Sequence, residues 1–428
     1  MKRTVLKLMA AILIAAAALA ALTACTTEEH GIHSYSIATG EGDNITYSSF
    51  GDGISEDTVF ELGSNGKTVA AYIALKLVDE GRIGLDDRIA PYLDSDLLTS
   101  DPRMNDITLR QLLSHTAGFS PSYEFGVDKK IYSAPGETFR YSGVGYIYLQ
   151  NVIENVSGQT FEEAAEHYVF GPLGMENSTF EHARVITPYI NFSSVTLYAF
   201  AVFIAAFILL FAVAAVAGKI TGFRYYKLKT AFTVCFILSG MINIAALLFI
   251  LSKVTVVFVI YFAAAAALLI LTRKKNRLFY TAVPVLTVVI LAAGFTVKGS
   301  LPVTDDLVRK EANCAYSLRS TSRDMALFCR ELMRQYSLDS GEASQMLADT
   351  VTIDDTNSWG LGIAIEYGQC TSYWHSGINP GFQSLYVLCP SEDRFIVVVT
   401  NSDNGLEFAK EIAEEYLGFS GTWDIVRQ

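Results

Sequence analysis

Ser64 and Lys67 stand three residues apart in the segment Phe60-Glu61-Leu62-Gly63-Ser64-Asn65-Gly66-Lys67. A serine hydroxyl becomes a strong nucleophile only beside a group that takes its proton. A lysine amine can be that group when burial lowers its proton affinity. On a helix the spacing of three puts both side chains on one face, a turn apart. Ser64 would lie at the helix N-terminus, near the positive end of the dipole. Val69, Ala70, Ile73, Leu77 and Val78 supply an apolar face for that helix, and Glu80-Gly81 ends it. Taken alone, the pair also reads as a helix cap followed by a solvated lysine.

Further segments follow in order. Ile107–Phe119 contains Leu112-Leu113-Ser114-His115-Thr116-Ala117-Gly118, and Pro135–Tyr141 leads into Tyr141-Ser142-Gly143. Phe170-Gly171-Pro172-Leu173-Gly174-Met175, Trp359-Gly360-Leu361-Gly362 and Trp374-His375-Ser376-Gly377 come next, with Asn379-Pro380-Gly381-Phe382 after them. In this order they resemble the serine β-lactamase-related family of class C β-lactamases, D-Ala-D-Ala carboxypeptidases and related esterases. The resemblance covers about residues 54–185 and 314–405. It implies an α/β (α+β) β-lactamase/transpeptidase-like fold, an antiparallel sheet flanked by helices with a helical region beside it. It also implies Ser64 as the acylated nucleophile, Lys67 as its proton partner and Tyr141 as general base or acid. His375, Ser376 and Gly377 would form the third motif on the strand edging the site. The backbone N–H groups of Ser64 and Ile378 would make the oxyanion hole, whose paired donors supply a few kcal/mol to a transition state.

Two positions depart from the family pattern. Gly143 stands where the family usually places Asn, and His375 stands where class C enzymes place Lys. Both turn the expectation away from β-lactam hydrolysis and toward ester or peptide acyl transfer. His115 is read as structural, packing behind the site. The histidines show no metal-ligand spacing and C-x-x-C is missing, so neither metal nor cofactor is expected. Cys370 and Cys389 flank an apparent hairpin, Ser372–Ser376 and Gln383–Leu388. With His375 opposite Ser384 the two cysteines would be neighbours within reach of a disulfide, and a bulge in the turn would remove that pairing. Cys314 and Cys329 are a weaker second pair.

The elements that must position these residues lie at both ends of the chain. Strands are expected at Ser34–Thr39, Asn44–Ser48, Thr371–Trp374, Gln383–Leu388 and Phe395–Thr400, with a helix at Glu407–Leu417. Residues 26–191 and 300–428 are therefore read as two parts of one catalytic domain. Between them, 192–299 holds four apolar stretches: Val195–Ala217, Thr230–Leu251, Val254–Thr272 and Leu278–Val297. Each is close to the roughly 20 residues that cross a bilayer as a helix. No acidic residue occurs between Glu181 and Asp305, while ten Lys and Arg lie between Lys219 and Lys298. Basic residues cluster in the first and third connections, which places those loops in the cytoplasm and both flanking parts outside.

Residues 1–25 read as an export signal. Leu22-Thr23-Ala24-Cys25 resembles a lipobox that would lipidate Cys25, and the alternative is an uncleaved anchor helix. Only 18% of residues are charged and the net charge is −12, which fits neither disorder nor nucleic-acid binding. The expectation is a multi-pass protein of the cell membrane with its catalytic domain outside. It would act through an acyl-enzyme on peptidoglycan-derived peptides or small esters and amides, with membrane lipid as a contact. The alternatives are a penicillin-recognising sensor and a non-catalytic cell-envelope binding protein that keeps the fold.

Overall fold

The computed structural model describes residues 32–121, 127–181, 183, 185–191, 300–302, 312–338 and 342–424. The chain divides into two units, residues 32–186 with 308–428, and residues 1–31 with 187–307. In the latter unit, strands β4 (Tyr189–Asn191) and β5 (Ser300–Pro302) pair antiparallel, with Tyr189 opposite Pro302. Residues 1–25, read above as an export signal, and the four apolar stretches lie outside the described residues. Among the described residues, no helix is long and apolar enough to cross a membrane.

The larger unit is built on an antiparallel sheet of eight strands in the order β2-β1-β12-β11-β10-β9-β8-β7. Its strands are β1 (Tyr35–Glu41), β2 (Asn44–Phe50), β7 (Val351–Thr352), β8 (Asn357–Trp359), β9 (Ala364–Glu366), β10 (Ser372–Asn379), β11 (Phe382–Cys389) and β12 (Arg394–Thr400). β12 reads Arg-Phe-Ile-Val-Val-Val-Thr and is buried beyond its first residue. Such a run of β-branched residues suits a strand covered on both faces. It pairs with β1, so the N-terminal strand lies beside one from the far end of the chain. β2 at the edge is largely exposed and polar, as an unpaired edge requires.

Side chains of the central strands alternate between two cores. Ala38, Tyr386, Leu388, Val397 and Val399 face one, and Ile37, Leu385, Val387, Ile396 and Val398 face the other. Among the long helices, α1 is Gly66–Asp79, α2 Gly143–Ser157, α3 Ser322–Ser337 and α4 Gly405–Leu417. α3 packs on β1 and β12 from the first core, and α4 packs on β11 and β12 from the second. α1 lies under α2 and is buried at every position from Gly66 to Leu75. The single apolar stripe expected from its sequence understated this. Small residues at 70, 71 and 74 let neighbours close around the whole helix.

The β10–β11 register is a second correction. The two-residue turn is Pro380-Gly381, so Asn379 faces Phe382, His375 faces Tyr386 and Ser384 faces Gly377. Proline and then a glycine at φ 76° suit the two central turn positions, which moves the pairing by two residues from that expected. Cys370 then precedes β10 rather than pairing in it. Its Cα still lies 6.5 Å from that of Cys389, within bonding range, and the two form a disulfide. Cys314 and Cys329, the other pair considered, are free and buried.

Candidate active site

Ser64 sits in the turn between β3 (Phe60–Gly63) and α1. β3 pairs with β6 (Leu318–Ser320) and packs on β10 and β11. Two glycines allow its backbone to touch β10. A Cβ on Gly377 would lie 1.8 Å from the Leu62 carbonyl oxygen, and one on Gly63 would lie 2.9 Å from the Ile378 nitrogen. Gly63 also has φ 52°, a left-handed conformation suited to glycine. The peptide leading into Ser64 is thus in contact with Gly377-Ile378. Ser384 stitches this junction: its Oγ donates to Leu62 O at 3.1 Å and accepts from Asn65 Nδ2 at 2.9 Å.

Lys67 is only 2% exposed. Its Nζ donates to Ser64 Oγ at 3.0 Å and to the Ala315 carbonyl at 2.6 Å. It also lies 5.1 Å from the centre of the Tyr141 ring and 5.7 Å from that of Tyr146, so aromatic faces replace much of its hydration. Gly66 makes this approach feasible. A Cβ there would lie 2.8 Å from the Phe180 ring and 2.9 Å from the Cys314 carbonyl oxygen, so the glycine serves close packing at the expense of helix propensity.

Tyr141 immediately precedes Ser142, which caps α2 by accepting from Gly145 N at 2.9 Å. Its ring is half-buried against His115 at 4.4 Å, Trp359 at 5.8 Å and His375 at 6.1 Å between centroids. His375 is fully buried, and its Nδ1 donates to the Ser376 carbonyl at 2.8 Å. A carbonyl can only accept, so Nδ1 carries the proton and Nε2 is bare. Burial first, then the Lys67 charge, pushes the His375 pKa down to about 3, opposed by the bond to Ser376. His375 is therefore a neutral imidazole at neutral pH, unlike the lysine it replaces in the family pattern. Ser376 is half-buried, and Ile378 is 45% exposed at the open end of β10.

The structure thus brings Ser64, Lys67, Tyr141, His375 and Gly377-Ile378 into one cluster. It adds three features that the sequence reading passed over. Ala315, 248 residues beyond Lys67, supplies a second acceptor for its amine. Glu61 pairs with the buried Arg319 at 3.0 Å, accepts from Asn379 Nδ2 at 2.8 Å, and so ties β3 to β6 and β10. His115, read as background packing, bonds Ser142 through Nδ1. None of these carries a local spacing signal. Among the described residues, the one grouping at metal-ligand distances is Cys370, Cys389 and Glu392, whose sulfurs are already bonded to each other.

A hydroxyl with an amine at hydrogen-bond distance, beside the backbone of a sheet strand, is an arrangement suited to acyl transfer from a serine nucleophile. The chain belongs to the Beta-lactamase family, whose model matches residues 15–190 and 291–418. It is 27% identical over 143 residues to penicillin-binding protein 4 of Amycolatopsis lactamdurans, covering 30% of this chain and 38% of that one. It is 28% identical over 147 residues to protein flp of Staphylococcus aureus (strain MW2), covering 30% of each chain. These matches span well under half the length of those relatives. Among solved structures, the fold is similar to a D-stereospecific amidohydrolase from Streptomyces sp., with a TM-score of 0.58 at 18% identity over 91% of this chain and 95% of that one. It is equally similar to a β-lactamase/D-alanine carboxypeptidase from Pseudomonas syringae, at 0.58 and 14% identity over 97% and 99% of the two chains.

Proposed function

We propose that the protein is a membrane-anchored extracellular serine hydrolase that works through an acyl-enzyme. The observation that carries this reading is the buried Lys67 amine, 3.0 Å from Ser64 Oγ and held in place by Ala315 O. In the proposed reaction Ser64 Oγ attacks a substrate carbonyl carbon and its proton passes to the Lys67–Tyr141 pair. The carbonyl oxygen takes the developing charge against the N–H groups of Ser64 and Ile378. The pair returns the proton to the leaving amine or alcohol as the acyl bond breaks, and water then releases the acyl group by the same steps.

Membrane anchoring rests on the four apolar stretches within 192–299 and their basic connections. The domain parts on either side would meet outside the cell, with residues 1–25 as signal and Cys25 as a lipid attachment point. Peptides ending in D-Ala, or small esters and amides, form the substrate class. Family membership and the similarity to an amidohydrolase and a carboxypeptidase support it. Neutral His375 and Gly143 favour an ester or peptide over a β-lactam.

Membranes containing the protein, labelled with a fluorescent penicillin and a fluorophosphonate in parallel, test the reading. Labelling lost in Ser64→Ala supports an activated nucleophile, and turnover of the acyl-enzyme separates a hydrolase from a penicillin-recognising sensor. Folded protein that neither probe labels would leave a non-catalytic binding role instead.

A further inference from the structure

His115 has a left-handed backbone, φ 55°, which is uncommon and strained for a residue with a side chain. The surrounding bonds enforce it. The Leu113 carbonyl accepts from Trp359 Nε1 at 3.2 Å and from Gly362 N at 3.0 Å. Thr116 N donates to Gln111 O at 2.9 Å, and Gly136 N donates to Thr116 O at 2.8 Å. The effect of the strained turn is to aim two acceptors at one short stretch of chain. Arg140 N donates to the His115 carbonyl at 2.7 Å, and Ser142 N donates to His115 Nδ1 at 3.1 Å. Those two peptide groups lie on either side of Tyr141.

We infer that His115 is a positioning residue, whose backbone carbonyl and imidazole Nδ1 clamp the chain before and after Tyr141 and so fix the phenol beside Lys67. The imidazole adds ring packing, 4.4 Å from Tyr141, 5.0 Å from Tyr146 and 4.9 Å from Trp359. The clamp dictates a protonation state. A backbone N–H can only donate, so Nδ1 is bare and the single proton is on Nε2, the opposite tautomer to His375. The titratable groups around the ring are Lys67 on α1, Tyr141, Tyr146 on α2 and His375 on β10. Burial and the Lys67 charge, with a smaller contribution from His375, hold the His115 pKa well below the ordinary value. The imidazole therefore stays neutral and the clamp stays closed at working pH.

Two variants separate this role from space filling. His115→Phe fills the aromatic cage without an acceptor, and His115→Asn offers an acceptor from a residue tolerant of positive φ. The kinetic arm rests on the hydrolase reading and uses p-nitrophenyl acetate with the full chain in detergent. The expected result for His115→Phe is a loss of about tenfold or more in kcat with KM within about twofold, recovered largely by His115→Asn. Added to Tyr141→Phe, His115→Phe should cost less than about twofold more, because the group it positions is already gone. A His115→Phe protein that turns over like the parent at equal melting temperature would overturn the inference, as would losses that multiply in the double variant. Nitrogen-15 spectra of histidine-labelled protein read the tautomer without any substrate. A bare Nδ1 on His115 between pH 5.5 and 8 is expected, and a protonated Nδ1 would refute the clamp even if no ester is hydrolysed. Absent turnover with a bare Nδ1 would count against the hydrolase reading and leave the clamp standing.

Discussion

Two buried neutral histidines make the fold sensitive to mild acid. His375 is fully buried with a pKa near 3, and His115 is 2% exposed with its pKa also held well below the ordinary value. Each is therefore depressed relative to an unfolded pKa of about 6.5. Between these limits the unfolded chain binds protons that the native state refuses, so stability falls as pH falls. At pH 5.5 an unfolded histidine is about nine-tenths protonated, so His375, with a folded pKa of about 3, stabilises the fold by about 1 kcal/mol less than at neutral pH, and His115 acts in the same direction. The His375 loss lowers the melting temperature by about 2 °C for a domain of this size, and His115 adds to it. Glu162 and Asp324, whose pKa values burial raises, act with the opposite sign as they take up protons, so the measurement stays at or above pH 5.5. Melting followed by near-UV circular dichroism at pH 7.5, 6.5 and 5.5 gives the slope for the parent, His375→Leu and His115→Phe. Each variant should lose part of the acid sensitivity. An unchanged melting temperature across this range, or the parental slope in both variants, would refute the reasoning.

Packing and crosslinking make further expectations. Gly66→Ala should destabilise by about 1–3 kcal/mol in chemical denaturation, despite the better helix propensity of alanine, because the new methyl meets the Phe180 ring and the Cys314 carbonyl. A stable variant would mean that the β3–α1 junction has slack. Replacing Cys370 and Cys389 by serine together should cost about 3 kcal/mol, from a bond that closes a 19-residue separation. A reductant should lower the melting temperature of the parent and leave that of the double variant unchanged. Ser64→Ala, which removes the hydroxyl without enlarging a side chain, should abolish probe labelling and shift the melting temperature by less than about 2 °C, consistent with the small effect of substitutions at half-buried sites outside the core.

The chemistry-bearing motifs are local, and so they were legible without a structure. Ser64 and Lys67 lie within one turn, and His375, Ser376 and Gly377 are consecutive on one strand. The sheet was legible in outline for a related reason. β-branched runs such as Phe395–Thr400 declare a buried strand, and both ends of the chain contain such segments. What failed was whatever depends on a partner distant in sequence. The β10–β11 register turned on which two residues occupy the corner, and α1 proved buried all round because helices from elsewhere close over its small residues.

The amino-acid sequence by itself determined the Ser64–Lys67 spacing, the strand-rich termini and the apolar, acid-free stretch between them, because residue type and spacing along one segment express each of these. Only the tertiary structure decided that Ala315 holds the Lys67 amine, that Glu61 links Arg319 to Asn379, and that His115 and His375, both near the Tyr141 ring, carry opposite tautomers. Hydrogen bonds and desolvation act through space: Ser142 meets His115 across 27 positions, Lys67 meets Ala315 across 248 and Asn379 meets Glu61 across 318, whereas the bond that sets the His375 tautomer is to the adjacent Ser376.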